Sequence, residues 1–188
     1  MITLQFVGAR GLASSIIERF GAGSFSHVDA ELPDGTLLGA RSDSIGGRPP
    51  GVQIRPADYG LAGWRIKVKC HILASDIQEA DFYDFLKAQE GKPYDKLAIF
   101  AFVIGRDWRD DSAWFCDELD AAGLERAKVI PDLYLPASKM SPTSLALALS
   151  ATGKATFTKN LIGAGPEIPS TPSQPPPGQS IIPPGEHQ

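Results

Sequence analysis

The fold is organised around residues 25–41, which read FSHVDAELPDGTLLGAR. If this stretch begins as a strand, alternation places His27, Asp29 and Glu31 on one face and the smaller residues between them on the other. The Pro-Asp-Gly segment predicts a turn, because Gly35 readily adopts the positive φ that tight hairpins need. The stretch therefore predicts a β-hairpin whose first strand carries a histidine among carboxylates.

Four further segments are predicted as strands beside the two strands of this hairpin. The predicted strands are residues 2–7, 25–32, 36–41, 52–54, 64–73 and 155–161, whereas residues 129–135 fit either a strand or a loop. Residues 64–73 alternate most clearly, and their apolar positions should face the core. Those positions are Trp64, Ile66, Val68, Cys70 and Ile72.

Helices are predicted between the strands. They cover residues 11–20, 76–89, 96–104, a segment from 111 or 112 to 122, and residues 142–150. Capping residues are expected to be Asp76 for the second helix, Asp111 or Ser112 for the fourth and Ser141 for the last. The mixture predicts an α+β fold in which a small antiparallel sheet packs against helices.

Composition divides the chain of 188 residues into two parts, a folded domain over residues 1–162 and a tail over residues 163–188. Eight of the sixteen prolines fall within residues 165–188. Such a segment packs no core and favours extended conformations. We expect either an end without a role or a strip that docks on a protein partner.

Charge and hydropathy exclude several classes of protein. The net charge is −4 and no run of basic residues occurs, so a nucleic-acid partner is not expected. The first ten residues lack the features of a secretory signal, and residues 97–105, the longest apolar run, are too few to span a bilayer. The cytoplasm is therefore the expected compartment, and association with a virion is the alternative.

Cofactor chemistry is not predicted. The chain has two cysteines and three histidines, with no CxxC or HExxH pattern, so neither a disulfide framework nor a metal site is expected. Phosphate-binding loops and the GxSxG elbow of serine hydrolases are also absent from the sequence. We therefore expect no cofactor and no bound metal.

Cys116 is the first candidate for chemistry, in the segment WFCDEL of residues 114–119. We expect it in the first turns of a helix, where the positive end of the dipole should lower the pKa of its thiol. A thiolate is the form of cysteine that attacks carbonyl carbon. The alternative is that Cys116 is a small buried hydrophobe.

His27 is the second candidate, because a histidine beside carboxylates can be a base with an orienting acid. The alternative is the solvated face of an edge strand. The other combinations are less suitable: Cys70 and His71 are neighbours that point to opposite faces of a strand, and His187 lies in the tail, where nothing fixes its geometry.

The order of these motifs resembles the permuted papain-like peptidases of the YaeF/YiiX type, relatives of the NlpC-type cell-wall hydrolases and the lecithin:retinol acyltransferase-like proteins. The resemblance spans residues 24–149 and rests on four short motifs in order. These are SHV at 26–28, GKPYD at 91–95, FCDEL at 115–119 and SP at 141–142. It implies that Cys116 is the nucleophile and that His27 is the general base.

The third catalytic position departs from the pattern of that family. Its members usually carry an acidic or polar residue late in the returning strand of the hairpin, but residues 38–43 read LGARSD, without a carboxylate at the expected place. Asp29 is the first substitute, followed by Asp43 and Glu31. The resemblance also places Tyr94 near the cleft, where it would either donate to an oxyanion or serve in packing.

Three functions follow from these considerations. The first is hydrolysis of an amide or ester through an acyl-enzyme, with peptidoglycan peptides or acylated molecules as substrates. The second is an inactive domain of the same fold that serves as a binding or structural module, for example in a phage particle. The third is acyl transfer to an acceptor other than water.

Overall fold

The computed structural model describes residues 1–9, 23–95, 113–131 and 140–161. Six strands lie in this part of the chain: β1 (Ile2–Ala9), β2 (His27–Glu31), β3 (Leu37–Arg41), β4 (Gly51–Arg55), β5 (Trp64–Ile72) and β6 (Ala155–Leu161). It also contains a 3₁₀ turn (Leu61–Gly63) and three helices, α1 (Asp76–Lys87), α2 (Cys116–Arg126) and α3 (Pro142–Ala151). The predicted helices at 11–20 and 96–104 and the tail at 163–188 lie outside the described residues.

The strands form one antiparallel sheet in the order β4-β3-β2-β1-β5-β6. The predicted hairpin is β2 and β3, joined by a turn in which Gly35 has φ of 82°. With three helices beside this sheet, the predicted α+β architecture is confirmed for the described residues. No strand forms over residues 129–131, which settles the loop alternative for that part of 129–135.

The core lies between one face of the sheet and the helices. Alternate residues of the central strands, such as Leu4 and Phe6 on β1 and Cys70 on β5, belong to one buried apolar cluster with Leu119 and Leu124 of α2. Burial of each large apolar side chain contributes about 1.5–3 kcal/mol, so this face supplies much of the stability. Among the described residues, no helix is both long enough and apolar enough to cross a membrane.

A β-bulge changes the predicted alternation at the start of β5. The register between β1 and β5 shifts between Gly8 and Ala9, and Trp64 pairs with Ala9 after the shift. Trp64 consequently packs with Val7 and Leu37 on the face away from the helices. The prediction that Trp64 shares the core face is therefore wrong, because one extra residue in a strand reverses the direction of the side chains that follow.

Helix α1 is capped by Ser75 rather than by Asp76. The Ser75 hydroxyl accepts from the Gln78 backbone N–H at 3.3 Å, and the Gln78 side chain accepts from the Ser75 N–H at 3.1 Å, which is a capping box. At α3 the predicted cap is confirmed, since Ser141 Oγ accepts from the Ser144 N–H at 3.1 Å.

The hairpin opens at the end of β2 that carries His27. Pairing between β2 and β3 is restricted to Ala30 with Leu38 and Glu31 with Leu37, so within the described part of the chain residues 27–29 pair as strand only with β1. Their backbone groups on the β3 side can therefore meet another element. The beginning of α2 lies at this opening, and the candidate site forms there.

Candidate active site

Cys116 is the first residue of α2. The preceding Phe115 is extended, with φ of −89° and ψ of 157°, and its backbone N–H donates to a Glu118 carboxylate oxygen at 3.4 Å. The helix therefore begins after the predicted caps Asp111 and Ser112, and that part of the prediction is wrong. This hydrogen bond between Phe115 and Glu118 fixes the direction in which the chain enters α2.

The Cys116 thiol is buried, with 1% of the residue exposed, and packs against Phe115 and Tyr94. Its Sγ donates to Asp117 Oδ1 at 3.5 Å. A second hydrogen bond joins the sulfur to the backbone of Val28. This contact uses the open edge of β2, so the thiol meets the strand at the residue that follows His27.

Burial raises the pKa of the Cys116 thiol well above its ordinary value, and the charge of Asp117 adds to the rise. The hydrogen bond from the Val28 backbone acts in the opposite direction because it favours the thiolate. The prediction that the helix dipole lowers the pKa of the Cys116 thiol is therefore wrong. A helix end carries only about half an elementary charge. Its attraction for a thiolate is therefore weaker than the free-energy cost of placing an anion in an apolar environment.

His27 and Asp29 are in contact on the face of β2 that alternation predicts for them. His27 Nε2 lies 2.8 Å from Asp29 Oδ1, and both side chains are buried. When Asp29 is ionised, the proton of this bond belongs to Nε2, and Nδ1 of the neutral ring is the basic nitrogen.

Burial governs the charge of this pair. It lowers the pKa of His27, and the attraction of Asp29 offsets only part of that effect. Burial alone would raise the pKa of Asp29, but the charge of His27 and the hydrogen bonds from His27 and Tyr59 outweigh it, so the pKa is lowered. The favoured state at neutral pH is a neutral imidazole beside a carboxylate.

The other two carboxylates proposed for the third position are bonded to basic side chains instead. Asp43 forms a bidentate pair with Arg41, with distances of 2.7 and 3.0 Å. Glu31 accepts from Lys69 Nζ at 2.7 Å. The structure therefore brings Asp29 to His27 and places neither Asp43 nor Glu31 in a hydrogen bond with it.

Tyr59 also belongs to this cluster, although sequence analysis did not select it. Its hydroxyl donates to Asp29 Oδ2 at 2.7 Å and lies 3.2 Å from Arg41 Nη1. Gly39 faces the same carboxylate, because a Cβ atom there would stand 1.9 Å from Asp29 Oδ1. No local pattern marks Tyr59, which follows β4 and lies 30 residues from Asp29 along the chain.

Tyr94 lies beside the thiol, as the resemblance implies. It packs against Cys116, and its ring centroid is 5.6 Å from that of Phe115. Burial raises the pKa of Tyr94 well above its ordinary value, and negative charge at Cys116 raises it further. Tyr94 is thus a neutral hydroxyl group next to the sulfur.

Two buried carboxyl groups on α2 were also missed by the sequence analysis. Within the described part of the chain, Asp117 Oδ2 and both carboxyl oxygens of Asp120 make no hydrogen bond. Burial raises the pKa of both groups well above the ordinary value, and the charge of Asp29 adds to the effect at Asp120. Their uncharged, protonated forms are therefore favoured.

Comparison with known proteins gives one informative result. No protein-family model matches the chain, and no curated protein matches it. A solved structure does: metalloprotein yiiX from Escherichia coli O157:H7 (DUF1105), with a TM-score of 0.58 and 18% identity over 84% of this chain and 94% of that one. The fold is therefore of the YiiX type. At this identity the similarity concerns the fold alone.

Cys70 and His71 lie elsewhere in this YiiX-type fold, as expected. Cys70 is in the core, where burial raises the pKa of its thiol to about 12. His71 Nδ1 lies 3.1 Å from Thr3 Oγ1 on the opposite face. His187 is outside the described residues. Over residues 1–9, 23–95, 113–131 and 140–161, no three His, Cys, Asp or Glu side chains form a metal-binding group.

Proposed function

We propose that the protein is a cysteine hydrolase in which Cys116 is the nucleophile and His27 the general base, in a permuted papain-like domain related to the NlpC-type hydrolases. The observation that carries the proposal is the position of the sulfur. Cys116 Sγ is bonded to the backbone of Val28, and the adjacent residue His27 is bonded to Asp29 at 2.8 Å. The thiol is thus bonded to the backbone of the residue that lies between His27 and Asp29 on one strand.

The proposed reaction has two stages. In the first, His27 Nδ1 accepts the thiol proton while the sulfur attacks the carbonyl carbon of an amide or ester, and the protonated His27 then gives that proton to the departing amine or alcohol. In the second, a water molecule attacks the thioester, with His27 as base again. The carbon–sulfur bond breaks, the acid is released and the thiol is restored.

The electrostatics support general-base attack rather than a preformed thiolate. Burial raises the thiol pKa of Cys116 and lowers the imidazole pKa of His27, so the neutral forms of both are favoured before substrate binds. The proton is therefore transferred as the new bond forms. Asp29 holds the Nε2 proton and stabilises the imidazolium that appears during attack.

Tyr94 is the proposed donor to the oxyanion of the tetrahedral intermediate. Its hydroxyl remains protonated because burial raises its pKa, and its side chain packs directly against Cys116. A hydroxyl donor beside a nucleophile is suited to a negative charge that develops on the carbonyl oxygen. Packing alone is the alternative role, as the sequence analysis noted.

Substrate class follows from the resemblance rather than from the site. Peptides of peptidoglycan and acylated molecules are the substrates that we propose first. The catalytic unit is the domain at residues 1–162. The proline-rich segment at residues 163–188 is proposed to bind a protein partner. Acyl transfer to an amine or alcohol uses the same first stage, with the acceptor in place of water.

A bound metal does not fit the residues of this site, although the similar structure is called a metalloprotein. The described residues contain no group of three ligands. The two buried carboxyl groups with unbonded oxygens on α2, those of Asp117 and Asp120, are both in an environment that favours the protonated form, which binds metal poorly. The reaction is therefore derived without a metal.

A second candidate function is a binding or structural module, which includes a component of a virus particle. The specific observation in its favour is the environment of Cys116, which is 1% exposed and beside a carboxyl group that disfavours the thiolate. An inactive relative can keep such a thiol as part of the core. This candidate predicts a stoichiometric partner whose binding does not depend on Cys116.

The deciding experiment is to trap the acyl-enzyme. Wild-type protein is mixed with activated acyl esters and with peptidoglycan stem peptides, quenched in acid and examined by mass spectrometry. We expect an acyl adduct on the peptide that contains Cys116, no adduct in Cys116→Ala, and turnover reduced about 100- to 10,000-fold in His27→Ala.

Matched controls use the other thiol and the other ordered imidazole. Cys70 and His71 lie away from the site, so Cys70→Ala and His71→Ala should retain adduct and turnover. Turnover that is undiminished in Cys116→Ala would rule out the nucleophile. Absence of an adduct with every substrate, combined with a partner bound equally by wild-type and Cys116→Ala protein, would favour the binding module.

A further inference from the structure

We infer that Tyr59 is a positioning residue, whose hydroxyl holds the Asp29 carboxylate so that the proton stays on His27 Nε2 and Nδ1 remains the base. The inference deepens the proposed function and rests on it. Asp29 is bonded through both oxygens, with Oδ1 at 2.8 Å from His27 Nε2 and Oδ2 at 2.7 Å from Tyr59 Oη. Two directed bonds on different oxygens fix the rotation of a carboxylate.

The direction of the Tyr59 proton is settled by its other neighbour. Arg41 Nη1 lies 3.2 Å from Tyr59 Oη, and a guanidinium can only donate. The hydroxyl must therefore accept from Arg41 and give its single proton to Asp29. Arg41 is itself held by the bidentate pair with Asp43, so the bonds run in one direction from Arg41 through Tyr59 to Asp29.

Packing fixes the ring that carries this hydroxyl. The Tyr59 ring meets Trp64 edge-on, with centroids 5.4 Å apart and an interplanar angle of 84°. The guanidinium groups of Arg41 and Arg55 lie 5.3 and 5.7 Å from the ring centroid. Arg55 is buried and donates to the carbonyl oxygens of Gly39 and Gly51, which ties the ring to β3 and β4.

The space that the carboxylate occupies comes from Gly39. Because β3 has no side chain at this position, the Asp29 carboxylate reaches across from β2 to where a Cβ atom would stand 1.9 Å from Oδ1. This accounts for the absence of an acidic residue on the returning strand. The acid enters from β2, and Tyr59 fixes it from the side of β4.

The hydrogen bond from Tyr59 also affects the pKa of Asp29. Burial raises the pKa of Tyr59 well above its ordinary value, so the residue is a donor throughout the physiological range. Its hydrogen bond is one of the interactions that lower the pKa of Asp29. Without it, the Asp29 carboxylate becomes a stronger base and attracts the His27 proton more strongly.

The test is a pH titration of the His27 ring by nitrogen-15 NMR in wild-type, Tyr59→Phe and Tyr83→Phe proteins. Phenylalanine keeps the packing on Trp64 and removes only the hydroxyl. We expect the pKa of His27 to rise by on the order of one unit in Tyr59→Phe. Tyr83 is the matched control, because its hydroxyl donates to the Glu31 carbonyl at 2.8 Å, away from His27.

Turnover supplies the second readout. We expect kcat of Tyr59→Phe to fall about tenfold with KM unchanged, because the hydroxyl acts on the base and not on the substrate. An unchanged His27 titration in Tyr59→Phe, or an equal shift in Tyr83→Phe, would overturn the positioning role even if Cys116 forms an acyl adduct. If no adduct forms in any variant, the titration still decides whether Tyr59 sets the state of His27, so the two proposals fail separately.

Discussion

Asp117 Oδ1 lies 3.5 Å from Cys116 Sγ and accepts a hydrogen bond from the thiol. The two residues are neighbours at the beginning of α2, and both are buried. Burial and the charge of Asp117 raise the pKa of Cys116, whereas the hydrogen bond from the thiol lowers the pKa of Asp117, which burial raises. Asp117 therefore limits the reactivity of the Cys116 thiol.

We predict that Asp117→Asn makes the thiol easier to ionise. At the high pH where the thiol ionises, an ionised Asp117 raises the pKa of Cys116, second only to burial, and its hydrogen bond adds to this, so removal of the carboxyl group should lower that pKa. The amide has nearly the same shape as the carboxyl group, which keeps the packing. The rate of alkylation by iodoacetamide, measured against pH, should have its midpoint at lower pH in the variant, by on the order of one unit.

Asp120→Asn is the matched control for this measurement. Asp120 is an equally buried carboxyl group one turn further along α2, yet it is not among the largest causes of the shift in the Cys116 pKa. Its variant should therefore alkylate with the midpoint of the wild-type protein. A midpoint that moves equally in both variants would show that loosening of α2, rather than charge, controls the thiol.

The buried Asp120 carboxyl group makes the stability of the protein depend on pH. Burial raises the pKa of Asp120 well above its ordinary value of 3.8, so the folded state binds more protons than the unfolded state above that pH. Stability must then fall as pH rises from 3.8 toward the folded pKa, by as much as about 1.4 kcal/mol per pH unit for one such group. Asp120→Asn removes this dependence.

Urea unfolding at pH 5 and pH 8 measures this effect. We expect the free energy of unfolding of the wild-type protein to decrease between the two values, and the decrease to be smaller in Asp120→Asn. His27 contributes with the opposite sign over the lower part of this range, because its lowered pKa costs stability as pH falls below 6.5, but it contributes equally in wild type and variant. Equal slopes for wild type and variant would contradict a protonated Asp120.

Gly39 is predicted to be required for the position of Asp29. A Cβ atom at residue 39 would overlap Asp29 Oδ1, so Gly39→Ala should displace the carboxylate from His27. We expect turnover to fall about 10- to 100-fold and stability by about 1–3 kcal/mol, as is usual for overpacking. A crystal structure or the nitrogen-15 signals of His27 would report the lost hydrogen bond directly.

Gly63→Ala provides the comparison, because a Cβ atom there meets nothing within 4 Å. Gly63 also has no positive φ, so alanine introduces no backbone strain at that position. Its variant should keep the turnover of the wild-type protein and change stability by less than about 0.5 kcal/mol. If Gly39→Ala behaves in the same way, the carboxylate has room that the structure does not indicate.

These positions also show what the sequence could predict and what it could not. Alternation along β2 predicted that His27 and Asp29 share a face, and their 2.8 Å contact follows from that period. The same reasoning was wrong for Trp64, because the bulge between β1 and β5 depends on the register of two strands and not on either strand alone.

Contacts between distant segments account for the rest of the site. Tyr59 is 30 residues from Asp29 and meets it only after β3 and β4 have folded back. The pKa of Cys116 was predicted in the wrong direction because the helix dipole is visible in the sequence, whereas the burial that outweighs it depends on tertiary packing. Charge states at a buried site are therefore the least predictable feature of this fold.

The choice between the three carboxylates can be tested last. Asp29→Asn replaces the acceptor of the His27 Nε2 proton by an amide, whose NH₂ group can donate to Nε2 and favour the proton on Nδ1. Since Nδ1 is the proposed base, turnover should fall about 100- to 10,000-fold. The pKa of His27 should fall further as well, because the attraction of Asp29 raises it in the wild-type protein.

Asp43→Asn and Glu31→Gln are the comparisons, and each isolates one of the remaining carboxylates. Asp43 is bonded to Arg41 and Glu31 to Lys69, so neither change removes a hydrogen bond to His27. We expect at most a few-fold loss of turnover, with Asp43→Asn the larger because Arg41 also contacts Tyr59. A loss in either variant as large as that of Asp29→Asn would transfer the role of third residue away from Asp29.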